Sequence, residues 1–201
     1  MTGRSHLADP PARLADPWPV LRTWLDEARA AGVEPALMAL ATVDGAARVS
    51  NRIVRVEEFA SDGLLFTTHS TSRKGRDLAT TREASGVLFW PQLARQVVVA
   101  GPVTRVPDAE SDAIWAGRPV VAQAMSAASE QSEPLRDRDE LLAAARRLAA
   151  PGEPLPRPAR FAGYRLRPAS IEFWAASPDR LHARVAYTAG AAGWTEQHLQ
   201  P

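Results

Sequence analysis

Thr67, Thr68, Ser72, Arg73 and Lys74 put three hydroxyls and two cations into one stretch of eight residues. Ser72 suits a helix N-cap, so Arg73 and Lys74 fall in the first helical turn. There the helix dipole already presents positive partial charge, and an added cation is unfavourable by about 0.3–1 kcal/mol. A bound phosphate reverses that cost by accepting from the helix's free N–H groups, the hydroxyls and both side chains. A solvated Ser/Thr/Lys/Arg turn is the other reading of the same residues. A second group is Arg180, His182 and Arg184. If Arg180 to Tyr187 is a strand, all three share one face, giving two fixed cations and one titratable ring. Such a row is either an anion-binding or redox-active wall or an exposed, solvated sheet face. Gln131 and Ser132 follow a polar break between helices and offer an amide and a hydroxyl to a ligand, or form an ordinary loop.

The rest of the chain bounds what these groups can serve. At 201 residues with 45% hydrophobic content, the chain can build a full core. Lys and Arg number 24 against 23 for Asp and Glu, a net charge of +1. That balance gives no broad field for nucleic acid or an anionic membrane, so any anion site is local. Cysteine is absent, which excludes disulfides, thiolate metal sites and thiol catalysis. No apolar run reaches membrane-spanning length and no signal-peptide core opens the chain, so a cytoplasmic location is expected. A G-x-G-x-x-G, a Walker loop and a metal-spaced His pair are all missing, and no metal is expected.

The elements that must position these residues follow from periodicity and punctuation. Residues 1–17 mix Ala, Pro, Asp and Arg without hydrophobic periodicity and read as a disordered arm. From Pro19, Leu21, Trp24, Leu25 and Ala28 recur at helical spacing, and Gly32 ends that helix. Ala36–Val43 and Arg48–Glu57 flank Asp44-Gly45, a strong hairpin signal. Leu64–Thr68 is a further strand, and a short helix runs from Arg73 to Thr81. Ser85–Trp90 and Arg95–Val106 are strands joined at Pro91-Gln92. Helices are expected over Asp108–Gly117, Val120–Ala128 and Asp137–Ala149, the last with acids in its first turn. Pro151–Pro158 is a connector. The chain closes with strand-like segments at Phe161–Leu166, Ile171–Trp174, Leu181–Tyr187 and Trp194–Leu199. Strand groups that turn back locally around a helical insert point to a mainly β, antiparallel α+β barrel.

Arg52-Ile-Val, Thr68 with Ser72-Arg73-Lys74, Arg95-Gln96-Val97, Gln131-Ser132, Ile171-Glu-Phe-Trp174 and Arg180-Leu-His-x-Arg184 together resemble the signature of the pyridoxamine phosphate oxidase family. The match is collinear from about Leu37 to Pro201. His69-Ser-Thr-Ser-Arg-Lys-Gly75, Ala124-Met-Ser126, Leu155-Pro-Arg-Pro158, Gly163-Tyr-Arg-Leu166 and Phe173-Trp-Ala-Ala-Ser177 are similar to its phenazine-biosynthesis branch. The resemblance implies an FMN-binding split β-barrel over residues 18–201 with a helical insert at about 108–150. It implies a homodimer with FMN at the subunit interface. Carried over by position, Arg52, Ile53, Val54, Arg55 and Val56 line the flavin, Thr67, Thr68 and Ser72 follow as cofactor contacts, and Arg73 with Lys74 grips the flavin phosphate. Gln96, Gln131, Ser132, Trp174 and Arg184 complete the cofactor site. Arg180 and His182 face the substrate as catalytic candidates, with Arg118 as a further anion contact.

In family members that oxidise a phosphate ester, a Lys, a Tyr and a Ser help hold the substrate phosphate. Here those positions read Glu57, Ile114 and Ala122. A carboxylate repels a phosphate dianion, and each lost charge-assisted hydrogen bond removes about 1.5–3 kcal/mol. Ile114, Trp115, Ala122 and Met125 suit a flat, partly reduced ring, while Arg118, Arg180 and His182 can pair with its carboxylates. The reading is therefore an FMN-dependent oxidase of a partly reduced phenazine carboxylate, with O2 as acceptor and hydrogen peroxide as product. The alternatives are a pyridoxine/pyridoxamine 5'-phosphate oxidase and a non-catalytic flavin-binding protein on the same barrel.

Overall fold

The computed structural model describes residues 16–201, so the expected arm over 1–17 lies almost wholly outside the described residues. Helix α1 (Trp18–Ala30) leads into β1 (Leu37–Val43), β2 (Val49–Ala60) and β3 (Gly63–His69). Then come α2 (Arg73–Thr80), β4 (Glu83–Trp90), a 3-10 turn at Pro91–Leu93 and β5 (Arg95–Arg105). Helices α3 (Asp108–Ala116), α4 (Val120–Ala128) and α5 (Arg138–Ala149) form the insert. Strands β6 (Phe161–Leu166), β7 (Ser170–Ala175), β8 (Ala183–Gly190) and β9 (Gly193–His198) complete the chain.

Six antiparallel strands in the order β4-β1-β2-β3-β6-β5 close through a β4–β5 pairing, and β7, β8 and β9 extend the sheet beyond β5. The split arises in β5. Its first half, Arg95–Ala100, pairs with β7, while Val103–Arg105 pairs with β6. The exchange occurs at Gly101, where an added Cβ would stand 2.3 Å from the Arg167 carbonyl oxygen. Only glycine allows the strand to pass there.

The core follows the two-residue period of the strands. Met38, Leu40, Val54, Val56, Leu64, Phe66, Val97 and Val99 point into the barrel, each such side chain stabilising by about 1.5–3 kcal/mol. Helix α1 adds Trp18, Leu21, Leu25 and Ala28 to that core. It stops at Ala31, with Gly32 in the left-handed region at φ 71°. Helix α3 docks on β6 through buried Ser111, whose Oγ accepts from the Gly163 N–H at 3.0 Å.

One expected element is misplaced. Strand β8 begins at Ala183, so Arg180 and His182 lie in the preceding turn and only Arg184 is on the strand. The Asp179 carboxylate accepts from the Leu181 N–H at 2.9 Å, and Arg180 sits at φ 67°. This Asx-type turn keeps the three side chains from alternating along one strand.

Candidate functional site

The hydroxyl and cation stretch closes into a compact cluster. Ser72, with extended backbone, caps α2 by accepting from the Gly75 N–H at 3.3 Å. Lys74 Nζ donates to Thr68 Oγ1 at 2.9 Å, to Gln131 Oε1 at 3.3 Å and to Ser72 Oγ at 3.4 Å. Gln131 reaches this point from the loop after α4, and Ser132 Oγ accepts the Arg73 N–H at 3.1 Å. Burial, together with neighbouring Arg52, pushes Lys74 down to about 8. Arg52 donates to the Leu40 carbonyl and to Thr42 and Ser50, 4.0 Å from buried Asp77. A backbone carbonyl wall backs the turn. A Cβ at Gly75 would stand 2.4 Å from the Ser70 oxygen and 2.5 Å from that of His69.

A second group lies across the outer sheet face. Ile53, Ala39, Val87, Val98, Glu172 and Ala186 are successive register partners, so Ile53 heads one row across five other strands. A neighbouring row carries Gln96, Trp174 and Arg184, also register partners. Ile53 and Arg55 are exposed on this face, whereas Val54 and Val56 point into the core. Only the main chain of those two valines can therefore line a ligand. Arg184 donates to Glu172 at 2.8 Å, which raises the pKa of its guanidinium. Among the described residues, no hydrogen bond or ion pair joins this group to the Thr68–Lys74–Gln131 cluster.

The turn before β8 fixes His182. Its Nδ1 accepts the Ser177 N–H at 3.1 Å, and its ring lies 5.0 Å from that of Trp174. Neutral imidazole has one donor and one acceptor nitrogen, so the proton sits on Nε2. His182 thus presents a donor, and Arg180 is exposed beside it.

Glu57 occupies a β-bulge. The β2–β3 register shifts between Val56 and Glu58, a distortion that turns a side chain out of the ladder. Thr67 Oγ1 donates to the Glu57 carboxylate at 3.3 Å. Gly163 is Thr67's partner on β6, and Ile114 Cδ1 lies 3.4 Å from where a Cβ at Gly163 would stand. Farther along the insert, Arg118 lies 5.2 Å over the Phe161 ring and donates to Ser126 Oγ at 3.4 Å. Ala122, on the first turn of α4, is half-buried.

The family model described as "Pyridoxamine 5'-phosphate oxidase" matches residues 25–152, and "Pyridoxine 5'-phosphate oxidase C-terminal dimerisation region" matches 161–201. The chain belongs to the pyridoxamine 5'-phosphate oxidase family. It is, with that family, an oxidoreductase. It is similar to dihydrophenazinedicarboxylate synthase of Burkholderia lata, 45% identical over 194 residues that cover 96% of this chain and 90% of the relative. The pyridoxine/pyridoxamine 5'-phosphate oxidase of Anaeromyxobacter dehalogenans is 43% identical over 195 residues, covering 96% and 98%. Among solved structures, PhzG from Burkholderia lata 383 in complex with tetrahydrophenazine-1-carboxylic acid superposes with a TM-score of 0.92 at 44% identity. That likeness covers 94% of this chain and 95% of the other.

Within this oxidase family scaffold, three supporting residues escape a sequence reading. His69 is fully buried behind the Lys74 cluster; its Nδ1 accepts the Gln131 N–H at 3.5 Å, and burial with nearby Arg160 pushes it down to about 4. Arg160 Nη2 donates to the Ser129 carbonyl at 3.1 Å and to that of Ala127, gripping the end of α4. Gln123 donates to the Trp115 carbonyl at 2.9 Å and accepts the Leu155 N–H at 2.8 Å. Trp115 Nε1 closes that ring on the Leu155 carbonyl at 2.6 Å. Gln123 thereby ties α3, α4 and the connector together around Arg118. Its sequence signal was a polar residue on an apolar helix, which does not reveal a partner 32 residues away.

Proposed function

We propose that this chain is one subunit of an FMN-dependent oxidase acting on a partly reduced phenazine carboxylate. Sequence identity does not choose between substrates, because the phenazine and vitamin B6 relatives stand at 45% and 43%. Charge does. The observation that carries the reading is Glu57, projected from a bulge and bonded to Thr67 within one residue of the Lys74 cluster. A phosphate ester there meets a carboxylate, while Ile114 adds an apolar contact that suits a ring. Each missing charge-assisted hydrogen bond removes about 1.5–3 kcal/mol, so three altered positions remove most of a phosphate ester's affinity.

The donors present fit the FMN phosphate. Lys74, Arg73 and Arg52 supply three cations against one buried carboxylate, Asp77, an excess that a phosphate balances. Thr68, Ser72, Gln131 and Ser132 add polar contacts around it. Bound flavin supplies a two-electron acceptor, with O2 as the final oxidant and hydrogen peroxide as product. Arg118, Arg180 and the Nε2–H of His182 orient the substrate carboxylates. His182 acts here as a hydrogen-bond donor rather than a base, because Nδ1 is occupied by Ser177 and Nε2 carries the proton. Gln96, Trp174 and Arg184 serve the flavin of a second copy, since they lie apart from this chain's own Lys74 cluster.

Anaerobic titration tests this reading. A partly reduced phenazine carboxylate should bleach the visible flavin absorbance of the purified protein, and pyridoxine 5'-phosphate should leave it nearly unchanged. Efficient bleaching by pyridoxine 5'-phosphate alone would replace this function with that of a vitamin B6 phosphate oxidase.

A further inference from the structure

A cavity of about 390 Å³ opens between α2, β5 and β6. Its volume falls within the range of small-molecule pockets. Leu78, Ala79 and Val103 make its apolar walls, and Arg82, Arg105 and Tyr164 bring polar groups to it. Tyr164 is only 6% exposed, with its ring stacked 5.8 Å from Phe66. Its hydroxyl bonds to no other described residue and is not among the buried unpartnered atoms, so it is reached from the cavity and free to donate. Burial raises the phenol's pKa and the Arg105 charge opposes that rise, which puts the guanidinium beside the ring.

Of the two cations at this cavity, Arg105 pairs with Asp108 at 3.0 Å, an oxygen it shares with Arg157, which has Asp112 as its second partner. Arg82 has no ion-pair partner among the described residues. It is held at φ 56°, with its carbonyl accepting the Val103 N–H at 2.7 Å. Non-glycine residues seldom adopt the left-handed region, and here that conformation sets Arg82 at the cavity rim.

We propose that this cavity is a second ligand site, taking a small carboxylate on an apolar body. The carboxylate accepts from the Tyr164 hydroxyl and pairs with Arg82 and Arg105, while the body lies on Leu78, Ala79 and Val103. Gly75, Leu78 and Ala79 belong to α2, so the ligand touches the helix that carries Arg73 and Lys74 on its first turn. The site is independent of the substrate assigned to the flavin face.

Calorimetric titration of the purified full-length protein with 1-naphthoate tests it, using 1-naphthamide as the uncharged counterpart. The titrations are made on an Arg118→Ala background, which removes one of the three proposed substrate contacts, and the substitutions below separate the two sites. One equivalent of naphthoate per chain is expected, with naphthamide at least about tenfold weaker. Tyr164→Phe combined with Arg82→Gln should weaken naphthoate by at least the same factor. The phenyl ring stays on Phe66 and Arg82 is exposed, so an unchanged melting temperature is expected and reports an intact fold. Absence of binding on the Arg118→Ala background overturns the site. So does equal affinity for the amide, or affinity that the double substitution leaves within tenfold.

Discussion

At the residue scale, Lys74 carries the most direct signature of the site. Burial and Arg52 lower it from 10.5 to about 8, although three oxygens surround its ammonium. Hydrogen bonds to neutral hydroxyls and an amide do not replace a counter-charge. Between pH 8 and 10.5 the unfolded chain keeps this proton and the flavin-free native chain releases it. Stability therefore rises with pH across that window, and the penalty for the charged form is fully present below it. The melting temperature of flavin-free protein, measured from pH 7 to 10.5, should climb relative to Lys74→Met, whose difference curve isolates this one group. A phosphate-bearing flavin supplies the missing counter-charge and should flatten the difference. A difference that is already flat without flavin contradicts a desolvated Lys74.

Helix α2 is the element that turns these residues into a site. Removing its two positive charges with Arg73→Ala and Lys74→Ala should weaken FMN far more than riboflavin, since only FMN carries the phosphate. With charge-assisted contacts worth about 1.5–3 kcal/mol each, the FMN dissociation constant should rise by two decades or more. Equal losses for FMN and riboflavin, read by fluorescence quenching, would remove the turn from the phosphate site. This element was legible in the sequence because its signals are local: Ser72 as a cap, cations directly after it, and a β-prone run before it. The same logic failed at β8. Arg180, Leu181 and His182 alternate like a strand, but Asp179 holds the chain in a turn by accepting the Leu181 N–H. The Pro178-Asp179 pair was the available signal for that turn. The outward and inward sides of β2 were likewise unresolved by type, because Ile53, Val54 and Val56 are equally apolar and only register decides which faces the core. Glu57 was recognised as out of place chemically, yet the bulge that projects it depends on the β2–β3 pairing and has no signature in the residues themselves.

At the scale of the whole molecule, the outer sheet face demands a partner. Val49 and Ile53 are 69% and 62% exposed, and Leu37 and Phe89 are also exposed. Large apolar side chains gathered on one sheet face mark an interface on a soluble surface. The same face holds Gln96, Trp174 and Arg184, which the chain's own Lys74 cluster does not reach. In the proposed dimer a second copy covers the apolar rows and those residues serve its flavin, so dimerisation and cofactor binding are expected to be one event. Light scattering on the flavin-loaded protein should give twice the chain mass. Ile53→Lys places a charge at the head of that exposed row, which the proposed dimer covers, and it should shift the protein toward monomer and release flavin over the same concentration range. The coupling is the discriminating result, because a surface charge that merely lowered stability would leave the two transitions apart. A flavin-saturated monomer that turns over substrate contradicts the shared site, since each flavin would then draw all its contacts from one chain.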